Sequence, residues 1–203
     1  MHKLSGVILA AGLSSRMGAF KPLMDVGGKP MILRVIDLMR STGAAPIVVV
    51  TGHNRQALEA ALSPCEDVEC VCNPDYATTQ QLESLRLALK ALAGYTERVM
   101  ISPADVPLVS VQTARFIRDT DGDFVRPVWR GEYGHPVFLK AAWFDYLMAY
   151  DGPGGLRGAM ERSGCKLVDL PVEDRGTVLD NDTPQDILRL TEWMNSQRGG
   201  KAL

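Results

Sequence analysis

The chain has 203 residues, 46% hydrophobic and 23% charged, which is enough to bury a full core and short enough for one domain. A formal net charge of −2 excludes a general attraction to nucleic acid or an anionic membrane, so any phosphate binding must come from a local cluster of cations. No apolar run approaches the roughly 20 residues that span a bilayer, and Met1-His-Lys-Leu-Ser5 lacks the apolar segment of a secretory signal, so a cytoplasmic location is expected.

The first element is an unbroken apolar run, Val7 to Ala11, which reads as a buried strand. It stops at Gly12 and gives way to small polar residues, Arg16, Gly18 and Lys21. Small residues let backbone N–H groups approach a ligand closely, and the two cations add fixed charge, so this loop suits a polyphosphate. Around it Arg16, Lys21, Lys29, Arg34 and Arg40 outnumber Asp25 and Asp37. Gly27-Gly28-Lys29-Pro30 is a turn, and Ile32, Val35, Ile36 and Met39 repeat at the spacing of one helix face. Pro46 to Thr51 is a continuous β-branched run, as expected of a parallel strand covered on both faces, after which Gly52-His53-Asn54 caps a helix through Leu62. Val68 to Cys72 reads as a third strand; Leu82, Leu85, Leu89 and Leu92 mark an amphipathic helix; Arg98 to Ser102 is a fourth strand, ending at Pro103-Ala-Asp105-Val-Pro107.

The second half is less regular. Ser110 caps a helix through Arg118, and Asp123 to Val128 and Pro136 to Leu139 are strand-like around a Gly131 to Gly134 turn, an antiparallel excursion. Ala141 to Tyr150 and Leu156 to Arg162 read as helices, Lys166 to Val172 and Thr177 to Leu179 as short strands, and Thr183-Pro184 opens a last helix. The β-α-β-α order predicts a three-layer, doubly wound, mostly parallel α/β sheet with a small antiparallel excursion. Residues 1–198 are expected to form one domain and 199–203 a frayed tail.

In such sheets ligands bind beyond the carboxyl ends of the strands, where strand order reverses. The loops at those ends carry Arg16 and Lys21, then Asp105, then Asp180 and Asp182. Magnesium prefers one or two carboxylates with phosphate oxygens and water, the inventory these loops would offer. Other phosphate loops fail on spacing: Gly12 to Gly18 is no Walker A, and no G-x-G-x-x-G follows the first strand. Gly152-Pro-Gly154-Gly-Leu-Arg157 misses the dinucleotide fingerprint and reads as a turn that leaves Arg157 available to a ligand. Asp119 to Asp123 lacks the later positions of a calcium loop and reads as a solvated turn. Cys65, Cys70, Cys72 and Cys165 lack zinc spacing and read as ordinary thiols.

These residues carry a resemblance. Leu9-Ala-Ala-Gly-Leu-Ser-Ser-Arg-Met-Gly18, followed by Lys21-Pro-Leu23, resembles the signature loop of nucleotidyltransferases with a Rossmann-like, nucleotide-diphospho-sugar transferase fold. Pro103-Ala-Asp-Val-Pro107, Gly134-His-Pro136 and Asp180-Asn-Asp-Thr-Pro184 narrow the resemblance to molybdenum cofactor nucleotidyltransferases, and within them to the cytidylyltransferases. The resemblance implies Mg²⁺-dependent transfer of CMP from CTP to the phosphate of molybdopterin, and transient contact with a molybdoenzyme or its chaperone. Leu-Ala-Ala-Gly also occurs in enzymes that activate sugar and polyol phosphates, so another phosphorylated small molecule is the alternative acceptor, and a module that binds nucleotide or cofactor without turnover is a third reading.

On that basis Leu9, Ala10, Ala11, Gly12, Ser14, Met17 and Gly18 would wrap the triphosphate, Arg16 and Lys21 would neutralise its β- and γ-phosphates, and Asp105 would hold Mg²⁺ with Asp180 or Asp182. Asn73 and Ser84 would flank the base. Gly134, His135 and Arg157 would serve the acceptor, His135 by a hydrogen bond rather than proton transfer. The chain departs from the family pattern in one place: Ala77-Thr-Thr-Gln-Gln-Leu-Glu83 has no glycine before Ser84.

Overall fold

The computed structural model describes residues 3–12 and 20–179. Strands β1 (Ser5–Leu9), β2 (Ile47–Thr51), β3 (Val68–Cys72) and β4 (Arg98–Pro103) are joined by helices α1 (Met31–Ser41), α2 (Arg55–Leu62) and α3 (Gln81–Leu92). Helix α4 (Val111–Asp119) leads to β5 (Phe124–Trp129), β6 (Glu132–Tyr133) and β7 (Val137–Lys140), and α5 (Phe144–Ala149) and α6 (Gly155–Arg162) precede β8 (Leu167–Pro171). The sheet order is β3-β2-β1-β4-β7-β5-β6, with β8 on the other edge of β5. β1 lies parallel to β2 and β4, β7 runs antiparallel between β4 and β5, and β8 returns parallel to β5.

The β-branched and aliphatic runs place side chains alternately on the two faces. Ile8, Val49 and Met100 pack with Ile32, Val35 and Ile36 of α1, Leu58 of α2 and Ile117 of α4. Val7, Val48 and Ile101 pack with Leu85 and Leu89 of α3, Leu147 of α5 and Met160 of α6. Two helical layers therefore enclose one sheet, the three-layer α/β architecture expected from the sequence, and each fully buried leucine contributes about 2 kcal/mol.

Ser110 caps α4 as expected, its Oγ accepting the Thr113 N–H at 3.1 Å. Asn54 stands at the start of α2 in the left-handed region (φ 52°) and makes no side-chain cap. The β5–β6 turn is tighter than expected, with Arg130 (φ 48°) and Gly131 (φ 87°) both left-handed, the geometry that suits a two-residue hairpin. Thr177 to Leu179 is not a strand. Asp174 accepts the Gly176 N–H at 2.9 Å and the Ser110 N–H at 2.8 Å, and its carbonyl accepts the Thr177 hydroxyl, which winds Arg175–Thr177 into a 3₁₀ turn. That turn wedges between two segments: a Cβ on Gly176 would meet the Leu108 carbonyl at 2.2 Å, and one on Gly134 would meet the Thr177 carbonyl at 2.7 Å.

Candidate active site

Strand order reverses between β1 and β4, and the crevice beyond their carboxyl ends has a volume of ≈ 330 Å³. Leu9, Ala10, Ala11 and Gly12 form one lip, Pro103, Ala104 and Asp105 the other, with Lys21 between them and Ser84 on the α3 side. Lys21 opens a 3₁₀ turn, Lys21–Leu23, and is 8% exposed, with Nζ 3.6 Å from Asp105 Oδ2. A cation and a carboxylate thus stand face to face in the crevice. Ser14, Arg16, Met17, Gly18, Asp180 and Asp182 lie outside the described residues, as does the 199–203 tail.

Of the other described cations counted near the loop, Lys29, Arg34 and Arg40 do not line the crevice. Lys29 pairs with Asp37, Arg40 with Asp67 at 2.5 Å, and Arg34 binds the carbonyls of Val26 and Gly27 at 2.6 and 2.9 Å. They are internal ties of the α1 region.

Asn73 does not line the crevice; it is 3% exposed and stands behind the wall. Its Nδ2 donates to Ser84 Oγ at 2.9 Å and to Thr79 Oγ1 at 3.0 Å, and its Oδ1 accepts the Asp75 N–H at 3.0 Å. Both Asn73 donors are thereby used, and Ser84, which lines the crevice, accepts one of them and keeps its own O–H for another partner. Gly52 is a packing requirement the sequence reading missed. A Cβ there would fall 2.8 Å from Tyr76 Cβ and 2.9 Å from the Ala11 carbonyl, so glycine lets the ends of β1 and β2 close on Tyr76. Tyr76, Thr79, Gln80 and Gln81 also line the crevice, occupying the segment where the family's glycine is missing.

A second cavity of ≈ 250 Å³ adjoins the first and shares Leu9, Gln80, Gln81 and Pro103 with it. Gly134, His135 and Arg157 all line it, so the three residues expected at the acceptor side do converge. Its walls are Leu82, Leu85, Ile101, Phe124, Val137 and Leu156. Burial pushes His135 down to about 4, so its imidazole is neutral at physiological pH, and its Nδ1 is buried with no hydrogen-bond partner among the described residues. The His135–Pro136 peptide is cis, and the His135 N–H donates to the Thr177 carbonyl at 2.8 Å. Arg126 and Tyr133 line the same cavity and were not foreseen. The available signal was one arginine inside an otherwise apolar strand, which must have partners if it is buried.

Asp105 is the described carboxylate that would hold a divalent cation. Its side chain is 28% exposed at the crevice edge, which leaves room for the phosphate oxygens and waters that Mg²⁺ keeps, and the donor type fits. Among the described residues no group of three His, Cys, Asp or Glu side chains forms a metal cage, and the four cysteines are free thiols.

A Rossmann-like sheet whose switch-point crevice sets an apolar strand end and a lysine opposite an aspartate is the arrangement of a nucleotide-binding transferase. The chain belongs to the MobA-like NTP transferase family, whose domain matches residues 6–167. It is 26% identical to the molybdenum cofactor cytidylyltransferase of Escherichia coli (strain K12) over 95% of this chain and 97% of that protein. It is 34% identical over 111 residues to the bifunctional protein GlmU of Pelobacter propionicus, a match covering 54% of this chain and 24% of GlmU, so the chain spans about a quarter of such relatives. A nucleotidyl transferase from Methanothermobacter thermautotroptrophicus superposes with a TM-score of 0.81 at 27% identity, covering 97% of this chain and 100% of that one. Among the described residues no helix is long and apolar enough to cross a membrane.

Proposed function

We propose that the protein transfers CMP from CTP to the terminal phosphate of molybdopterin and releases pyrophosphate. The observation that carries this reading is the second cavity: it opens onto the phosphate crevice, yet six of its walls are aliphatic or aromatic. The faces of a planar heterocycle suit those walls, while Gln80, Gln81, His135 and Arg157, which also line the cavity, suit the polar groups at its edges. The likeness to the E. coli cytidylyltransferase over nearly both full lengths supports the same acceptor.

In this reaction an oxygen of the acceptor phosphate bonds to the α-phosphorus of CTP as the bond to the pyrophosphate oxygen breaks. The second pKa of a phosphate monoester is about 6, so the nucleophile is already anionic at neutral pH and needs no general base. The chain's task is to bring two polyanions together and to neutralise the leaving group. Ala10 to Gly12 would present backbone N–H groups to the triphosphate, Lys21 would neutralise its outer phosphates, and Arg16 would join it there. The Ser84 hydroxyl would donate to a carbonyl or ring nitrogen of the base. Asp105, with Asp180 or Asp182, would hold Mg²⁺, which supplies charge neutralisation on the phosphates when bound. His135, being neutral, would donate a hydrogen bond to the acceptor. Small diffusible substrates of this kind fit a cytoplasmic enzyme that hands its product to a molybdoenzyme or its chaperone.

The GlmU match favours a second reading, a sugar-1-phosphate or polyol phosphate as acceptor. Incubating the protein with Mg²⁺, each nucleoside triphosphate in turn and either molybdopterin or a sugar-1-phosphate, then measuring pyrophosphate, separates the two. Release with CTP and molybdopterin is expected; release only with the sugar phosphate would sink the first reading.

A further inference from the structure

The acceptor cavity carries a cluster that the transfer step itself does not use. Arg126 on β5 is 5% exposed, with Nε 2.6 Å from Asp169 Oδ1 and Nη1 2.9 Å from Glu161 Oε1. Burial opposes its charge, and the two carboxylates outweigh burial and raise the guanidinium above its ordinary value. The same Glu161 oxygen accepts the Nε of Arg157 at 3.0 Å, one turn earlier on α6. Both guanidinium carbons lie over the Tyr133 ring, Arg126 at 3.7 Å and Arg157 at 4.5 Å from its centroid. Arg157 is therefore held by one edge and one face, while its Nη groups make no hydrogen bond among the described residues.

The Arg157 side chain is 61% exposed, and its i,i+4 pair with Glu161 alone would leave it sampling many rotamers, worth a few tenths of a kcal/mol. Here a carboxylate, an aromatic face and a second, buried guanidinium converge on it at the mouth of a ligand-sized cavity. The tight turn before α6 adds to the constraint: a Cβ on Gly158 would meet the Pro153 carbonyl at 2.2 Å, and Gly154 and Gly155 take φ of 90° and 57°. What remains free is the forked Nη edge, the part of arginine suited to carbonyl and oxyanion oxygens.

We propose that Tyr133, Glu161 and Arg126 are positioning residues that hold Arg157 as the reader of an oxygen-bearing edge, carbonyl or oxyanion, at the end of the acceptor far from its reacting phosphate. The inference rests on the acceptor reading above and adds the direction in which the ring lies: faces against the apolar walls, oxygen edge toward α6. Ordering Arg157 before the ligand arrives lowers the entropy cost of binding and so acts on acceptor affinity.

The test is steady-state pyrophosphate release with CTP, Mg²⁺ and molybdopterin. Tyr133→Leu and Glu161→Gln should each raise the KM for molybdopterin about tenfold while the KM for CTP and kcat stay within about twofold. Tyr133→Phe, which keeps the ring face, should restore the wild-type value. Arg157→Lys should match Tyr133→Leu, and the double variant should be no worse than either single one, because both act through one guanidinium. An unchanged molybdopterin KM, a parallel rise in the KM for CTP, or a fully additive double variant would overturn the proposal while leaving the acceptor reading intact. No pyrophosphate release by the wild type with molybdopterin would overturn that reading and this inference with it.

Discussion

The two adjoining cavities are built in different ways. The crevice beyond β1 and β4 is walled largely by backbone and by small residues, with charge concentrated in Lys21 and Asp105. The cavity beside it is walled by large apolar side chains from α3, β5, β7 and α6, with His135 and the Arg126, Tyr133 and Arg157 cluster among them. Backbone and point charges suit a triphosphate, whose oxygens are the same whatever base they carry; shaped apolar walls suit the choice among acceptors. On the proposed reading, the transfer step would sit on the parallel half of the sheet and acceptor selection on the antiparallel excursion. Gln80 and Gln81, which line both, stand where the two functions meet.

The largest effect should come from the charge in the crevice. Asp105→Ala should lower kcat about 10³-fold, the scale of losing a group that stabilises transition-state charge. The variant also takes away the carboxylate beside the buried Lys21 ammonium, so the melting temperature should fall as well, and turnover is read on protein shown to be folded by circular dichroism. Near-wild-type turnover by a folded variant would remove Asp105 from the chemistry and with it the basis for assigning the reaction to this crevice.

Two glycines allow the division between cavities to be tested directly. Gly52→Ala would press a methyl group to 2.8 Å from Tyr76 Cβ, and Gly134→Ala one to 2.7 Å from the Thr177 carbonyl. Each overpacking should destabilise the fold by about 2 kcal/mol in urea denaturation. Their kinetic effects should part: Gly52→Ala should raise the KM for CTP severalfold, and Gly134→Ala that for the acceptor. A rise in the same KM from both would show that the cavities do not divide the work.

The same contrast explains what could be read in the sequence. The parallel half follows local rules: β-branched runs, leucines at helical spacing and the Ser110 cap put the strands, the layers and the crevice where they were expected. The position of Asp105 beside Lys21 follows from topology alone. Asn73 and Gly52 could not be read in this way, because their roles depend on what stands behind them, Ser84 in one case and Tyr76 with Ala11 in the other. Arg126 and Tyr133 are brought to Arg157 by pairings of β5 with β6 and β8 that no local pattern announces. The expected strand at Thr177 to Leu179 gave way to a turn in which the Thr177 and Val178 N–H groups donate to the Asp174 and Arg175 carbonyls, bonds that a ladder would have used.

A smaller effect should separate the base from the phosphates. Ser84→Ala removes one donor from the crevice wall and leaves Asn73 with one buried N–H unmatched. The KM for CTP should rise about tenfold with kcat nearly unchanged, the pattern of a lost ground-state contact. A variant that instead lost turnover without a change in KM would move Ser84 from binding to the transition state.

The smallest effect concerns His135 and is best read as stability. The folded protein keeps this imidazole neutral down to about pH 4, whereas in the unfolded chain it takes up a proton near 6.5. Between those values the unfolded state binds the extra proton, so stability is fully present above 6.5 and falls as the pH drops toward 4, by about 2 kcal/mol at pH 5. Urea denaturation at pH 7.5 and pH 5 should therefore show a loss in the wild type that His135→Gln largely abolishes. Turnover should behave differently, because a neutral donor carries no proton through the reaction. The inflection in the rate between pH 5 and 7 should follow the acceptor phosphate, with its pKa of about 6, and stay in place in His135→Gln. An inflection that disappeared with the histidine would make His135 a proton carrier and give the acceptor cavity a share of the chemistry that the comparison assigns to the crevice.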